Sequence, residues 1–284
     1  MIDIFKYQMK GRIRMILLIN AVFAFVNIAA YVTEIQAIVG GVAVADGRFG
    51  AEAGFWVPLS FAVTWIANFA LFFLCASGFS DQLLYKDTSY LMLLLPRRGW
   101  QVIAGRHLAG FVECLAYAIP GFVYLTVHLS LFSLVSGNPA IGFLSVFAEI
   151  WKFIFVTNGL STLTLLLILV CVFFVSGSLL SFAAISTRSF IRSKALATVV
   201  SIAIFVFVTN WTVKVGTAAS ERLQWFGRIS FQFTGSGLPN FSSFAGTPAG
   251  KELLIPIVPI LVFTVLGVAL FAASSWLWER KVEL

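Results

Sequence analysis

Charge is what this sequence has least of. Only 11% of its 284 residues are Asp, Glu, Lys or Arg, against about a quarter in an ordinary soluble domain. Cysteine is sparse too: Cys75, Cys114 and Cys171 all fall in apolar segments and no CxxC occurs. An odd count without ligand spacing argues against a disulfide framework or a zinc site, which leaves packing as their role. Neither HExxH nor GxSxG occurs, so the usual signatures of metalloproteases and serine hydrolases are missing. A nucleotide-binding loop is missing as well. Its nearest approach, Gly246–Glu252 (GTPAGKE), has three residues between its glycines and Glu after Lys. A P-loop needs four, and a Ser or Thr for magnesium.

What is present is hydrocarbon. Apolar residues make up 60% of the chain and the mean hydropathy is +0.97. They gather in six runs, near 15–33, 55–78, 107–135, 159–185, 195–213 and 253–278. Each meets the ~20 residues needed to cross ~30 Å of hydrocarbon as a helix. Residues 1–284 therefore read as one membrane domain, with no room for a soluble enzyme domain. The first run is too long for the ~7–15-residue core of a signal peptide, despite its basic lead and the A-x-A at Ala43–Ala45, and reads as a retained span.

The formal charge of +7 does not point to nucleic acid, because the basic residues crowd the ends of the apolar runs. Lys6, Lys10, Arg12 and Arg14 precede the first, while Lys86, Arg97, Arg98 and Arg106 lie between the second and third. Arg188, Arg192 and Lys194 lie between the fourth and fifth, and Arg280 and Lys281 follow the last. These thirteen face six on the other side, in longer connections: Arg48, Lys152, Lys214, Arg222, Arg228 and Lys251. The richer side is cytoplasmic by the positive-inside rule, so both termini are expected inside. Trp56, Trp100, Trp151, Trp211, Trp276 and Trp278 fall near span ends, where an aromatic belt belongs.

The connections carry their own patterns. Ile2, Phe5, Met9 and Ile13 recur at near-helical spacing beside Asp3, Lys6, Lys10 and Arg14, which suggests an interfacial helix before the first span. Residues 141–158 read as an interfacial helix or as a seventh span. The second would put Glu149 and Lys152 near mid-membrane, at a cost of several kcal/mol, so the first is preferred. In the long outer connection, 214–252, Leu223, Phe226, Ile229 and Phe233 suggest an amphipathic helix, either re-entrant or lying on the surface. Between the second and third spans, Asp87, Thr88 and Ser89 are N-cap residues. A short helix over Tyr90–Leu95 follows, and Pro96 stops it. Its large apolar side chains suit either a partner surface or the bilayer.

Polar residues inside the spans are few. Glu113 and His128 both lie in the third span, about 22 Å apart on one helix, too far to share a catalytic site. A lone intramembrane acid is a functional candidate, while its plain role is pairing with a neighbouring span or with Tyr117. Asn20 and Asn27 lie seven residues apart on one face of the first span, where they either bind helices together or line a polar path.

The stretch from Asp87 to Gly110, with Tyr90, the Leu93–Pro96 run, Arg97–Arg98–Gly99 and IAGRHLAG at Ile103–Gly110, resembles the cytoplasmic connection of type-2 ABC exporter permeases. The six spans, N-terminal interfacial helix and long outer connection resemble that family's layout. The resemblance implies an all-α polytopic membrane protein whose short helix between spans 2 and 3 is a coupling helix. Asp87, Thr88, Tyr90, Leu91, Leu94, Pro96 and Arg97 would then contact a cytoplasmic ABC ATPase subunit. It further implies two such ATPases holding the ATP and magnesium, a second permease (identical or paralogous), and a bacterial cell-membrane location. Glu113, Asn20 and Asn27 are the candidates for an intramembrane polar or cargo site. An importer's membrane substrate-binding component, and an ATPase-independent channel or carrier, remain the alternatives.

Overall fold

A computed structural model describes residues 2–39, 51–85, 98–135, 143–191, 193–231 and 251–282. The expected coupling helix, with Asp87, Thr88, Tyr90, Leu91, Leu94, Pro96 and Arg97, lies outside the described residues, as does the turn-rich stretch 232–250. The elements are α1 (Ile2–Val39), α2 (Ala51–Phe61), a π-helical turn (Ala62–Ile66), α3 (Ala67–Tyr85), α4 (Gly99–Val135), α5 (Phe143–Lys152), a second π turn (Phe153–Thr157), α6 (Gly159–Phe190), α7 (Lys194–Leu223), β1 (Phe226–Phe231), β2 (Lys251–Pro256) and α8 (Ile257–Val282). Among the described residues, six helical segments are long and apolar enough to cross a membrane: Arg12–Val39, Phe55–Ala76, Gly99–Leu131, Gly159–Thr187, Ala195–Leu223 and Ile257–Arg280. That is the make-up of a multi-pass membrane protein.

Contacts between the helices fix their directions. Arg12 meets Glu113 and Tyr31 reaches the Tyr124 carbonyl at 2.9 Å, so α1 and α4 run parallel. Gly110 faces Cys75 and Gly121 faces Asn68, so α3 runs against α4. The α6 helix also opposes α4, with His107 beside Ser181 and Phe111 beside Phe173. Gly99 touches Glu279, which places the start of α4 at the end of α8. The alternation gathers the start of α1, the end of α3, the start of α4, the end of α6, the start of α7 and the end of α8 at one end of the bundle.

Phe23, Cys75, Ala76, Tyr117 and Phe173 form a buried cluster that joins α1, α3, α4 and α6. Outward, Leu17, Leu18, Phe25, Ile66 and Val265 are each more than 60% exposed. Apolar exposure on that scale is unusual in water and ordinary against lipid tails. Buried hydroxyls cost little here because they bond their own helix: Ser274 donates to the Leu270 carbonyl at 2.7 Å and Ser178 to that of Phe174 at 2.8 Å.

Two connections differ from expectation, and a third adds no span. The N-terminal interfacial helix is not a separate element, because α1 runs unbroken from Ile2 to Val39. Nothing between residues 2 and 15 is a strong helix breaker; Gly11 alone costs only ~1 kcal/mol. Within 141–158, Phe143–Lys152 is a ten-residue helix whose Val146 and Ile150 are buried. It is separated from α6 by the second π turn and Asn158, so it adds no seventh span. In the connection between the fifth and sixth spans, α7 ends at Leu223, with Gln224 in the left-handed conformation at φ 51°. The expected amphipathic helix is replaced by β1, which pairs antiparallel with β2 from Phe226↔Pro256 to Phe231↔Lys251. Ile229 is buried while Arg228 and Ser230 are exposed, the alternation of a strand. The partner strand lies some twenty residues downstream, so local periodicity carries no sign of it.

Candidate functional site

Helix α4 packs against α1, α3, α5, α6 and α8, and its first turns are buried. Gly99, Val102, Ile103, Gly105, Arg106, His107, Ala109 and Gly110 have little or no exposure. At its start the Gly99 amide donates to Glu279 Oε1 at 2.8 Å, which places a carboxylate at a helix N-terminus, where the helix dipole favours it. A Cβ on Gly99 would lie 2.5 Å from the Ser275 carbonyl oxygen, so only glycine permits this approach. The Arg106 guanidinium stands 5.7 Å from the Trp278 ring. His107 reaches Ser181 on α6 at 3.3 Å. The base of α4 is thus held by α8 and α6 together.

Polar groups then follow the α1–α4 seam. On α1 they are Arg12, Asn20, Asn27 and Glu34, spaced by about two turns each and hence on one stripe. On α4 they are Glu113, Tyr117, Tyr124 and His128. Nearest the start of α1, Arg12 pairs with Glu113 Oε2, and the Tyr117 hydroxyl donates to Oε1 at 3.2 Å. Glu113 therefore takes both a neighbouring span and Tyr117. Asn20 donates to the carbonyls of Ile16 at 3.0 Å and Ala116 at 3.2 Å. Its Oδ1 is buried without a hydrogen-bond partner among the described residues.

At the far end of the seam three elements meet around His128. Its Nδ1 faces Glu34 Oε1 at 3.0 Å and Oε2 at 3.1 Å. Its Nε2 faces Asn27 Oδ1 and Ser60 Oγ, each at 3.1 Å. Asn27 also donates to Thr64 Oγ1 at 2.8 Å, and Thr64 lies within the first π turn. Tyr31 and Phe61 close the sides, with ring centroids 4.5 and 5.3 Å from that of His128. Glu34 and His128 are 2% and 4% exposed, so this polar group is covered by the aromatic rings and helices around it.

Of the sequence candidates, Asn27 enters this cluster, while Glu113 and Asn20 lie lower on the same seam. Glu113 and His128 sit in separate groups, as their spacing requires. Sequence reasoning missed Glu34, because the first apolar run was closed at Thr33. The signal was present: Glu34 continues the Asn20–Asn27 interval by another seven residues. Ser60 also carried no mark of its own, since a single serine in an apolar run is commonplace.

A groove of about 420 Å³ opens between α4, α6 and α8. Leu108, Phe174, Val175, Val268 and Phe271 supply its walls, and His107 also lines it. Its size falls within the ~300–1,000 Å³ of small-molecule sites. Comparison of the chain with protein-family models, with curated proteins and with solved structures finds no match.

Proposed function

We propose that this chain is the membrane-spanning permease subunit of an ATP-driven ABC exporter. It acts with two copies of a separate cytoplasmic ATPase and with a second permease, identical or paralogous. The observation that carries the reading is the burial at the base of α4. The stretch that resembles a coupling connection, Asp87–Gly110, runs directly into a helix held by α1, α3, α6 and α8. A push delivered to residues 86–97 reaches the Gly99–Glu279 contact at once and is passed to four neighbours, because close-packed interiors shift as units rather than yield. ATP and magnesium belong to the partner subunit, and closure of the ATPases moves the spans. The low charge of the spans and the apolar groove favour a peptide, a drug or a lipid-like amphiphile as cargo.

A second reading, a carrier driven by an ion gradient, gains from the buried Glu34–His128 pair, since ionisable groups within spans often mark proton paths. Co-purification separates the two. An ATPase subunit should accompany the native chain in mild detergent and be lost when Leu91 and Leu94 are both changed to Asp. If no ATPase accompanies the native chain, the permease reading fails. Transport that follows a proton gradient without ATP would then establish the carrier.

A further inference from the structure

Donors and acceptors around His128 admit one assignment at Nε2. Asn27 gives its Nδ2 hydrogens to the Phe23 carbonyl at 2.7 Å and to Thr64 Oγ1 at 2.8 Å. The atom it turns to His128 is therefore the oxygen. Ser60 gives its single hydroxyl hydrogen to the Val57 carbonyl at 2.8 Å, so it offers His128 only a lone pair. Two acceptors on one ring nitrogen require a hydrogen there.

The superficial likeness to a Ser–His–acid triad fails on this point. A general base must present a bare Nε2 to the serine, and here Nε2 is a donor whose serine has its hydrogen committed elsewhere.

At Nδ1 the reverse problem arises. An ionised Glu34 opposite a bare Nδ1 would set acceptors against acceptor. One proton between them removes the conflict, and the pair is neutral overall whether that proton sits on oxygen or on nitrogen. We propose that Glu34 and His128 together form a binding site for one proton, and that this proton fastens α1 to α4 at the end of the bundle opposite the chain termini.

The surroundings suit such a site. Among the described residues Tyr31 is the other titratable group against the ring, and its hydroxyl is turned away to the Tyr124 carbonyl. The second span contributes Ser60, Phe61 and Thr64, none of them charged. The π turn at Ala62–Ile66 is an independent sign, since π turns are rare and collect at functional sites. Here it carries Thr64, which holds Asn27 in the orientation that fixes Nε2. A second proton would leave an imidazolium against a neutral acid. Loss of the proton would leave a carboxylate against a bare nitrogen. Either change strands a charge in a sealed site and loosens the α1–α4 contact there. This inference does not rest on the exporter reading.

The test is imidazole-nitrogen NMR of the full chain in lipid discs across pH. The chain has two histidines, so His107→Gln assigns the spectrum without touching the site. The expected result is an Nε2 of His128 that stays protonated throughout, while Nδ1 alone changes with pH. In Glu34→Gln the side-chain amide donates to Nδ1, which should then be bare at neutral pH. If that variant does not fold, the native spectrum still decides. A bare Nε2 in the native chain, or an Nδ1 whose response to pH is the same in Glu34→Gln as in the native chain, overturns the proposal.

Discussion

Replacing Glu113 by Leu removes the carboxylate beside Arg12, whose side chain is only 8% exposed, and strips the Tyr117 hydroxyl of its acceptor. Removing one partner of a buried ion pair costs about 3–5 kcal/mol, because the remaining charge stays desolvated. The orphaned hydroxyl adds roughly 1 kcal/mol. Removing both charges, as in Arg12→Leu with Glu113→Leu, leaves no stranded charge. Two well-packed apolar side chains of similar volume are often no worse than the pair they replace. The double variant should therefore recover most of the loss, so the two single costs together should exceed the double cost by at least about 3 kcal/mol. The assay is a double-mutant cycle read by reversible unfolding in mixed micelles, with Arg12→Leu as the second single variant. If Glu113→Leu costs under about 1 kcal/mol, or if the two singles simply add, the seam is not held by this pair and the reasoning is refuted.

Glycines offer a sharper steric contrast. A Cβ at Gly110 would run into the Cys75 carbonyl, while one at Gly159 meets nothing within 4 Å. Gly110→Ala should cost about 1–3 kcal/mol through forced backbone shifts, and Gly159→Ala should be neutral or stabilising by up to ~1 kcal/mol, both read by thermal unfolding in detergent. Gln224 holds φ 51° at the end of α7, a conformation that costs a side-chain-bearing residue roughly 1–2 kcal/mol. Gln224→Gly should therefore raise the unfolding midpoint, and a drop would show that the side chain matters more than the turn.

Sequence alone determined the solvent of this protein and the course of its chain through it. Transfer into hydrocarbon is close to a sum over local residues, so six apolar runs, their basic flanks and their aromatic ends can be read without knowing what touches what. The same locality made Asn20 and Asn27 legible as one face of a helix. The expectation of a short stopped helix over Tyr90–Leu95 rests on the same locality, and those residues lie outside the described structure. What only the tertiary structure decided depends on which faces of distant segments meet. Glu34 at the edge of a run and His128 94 residues away become partners only when α1 and α4 pack in parallel with a particular rotation. Arg12 and Glu113 do so across 101 residues. The β1–β2 hairpin likewise replaced an expected helix, because backbone pairing between strands is non-local and leaves no helical or strand period long enough to read in six residues. A local pattern fixes where a helix crosses the bilayer; the buried polar chemistry is set by the contacts that satisfy it, and those are made between segments far apart in the chain.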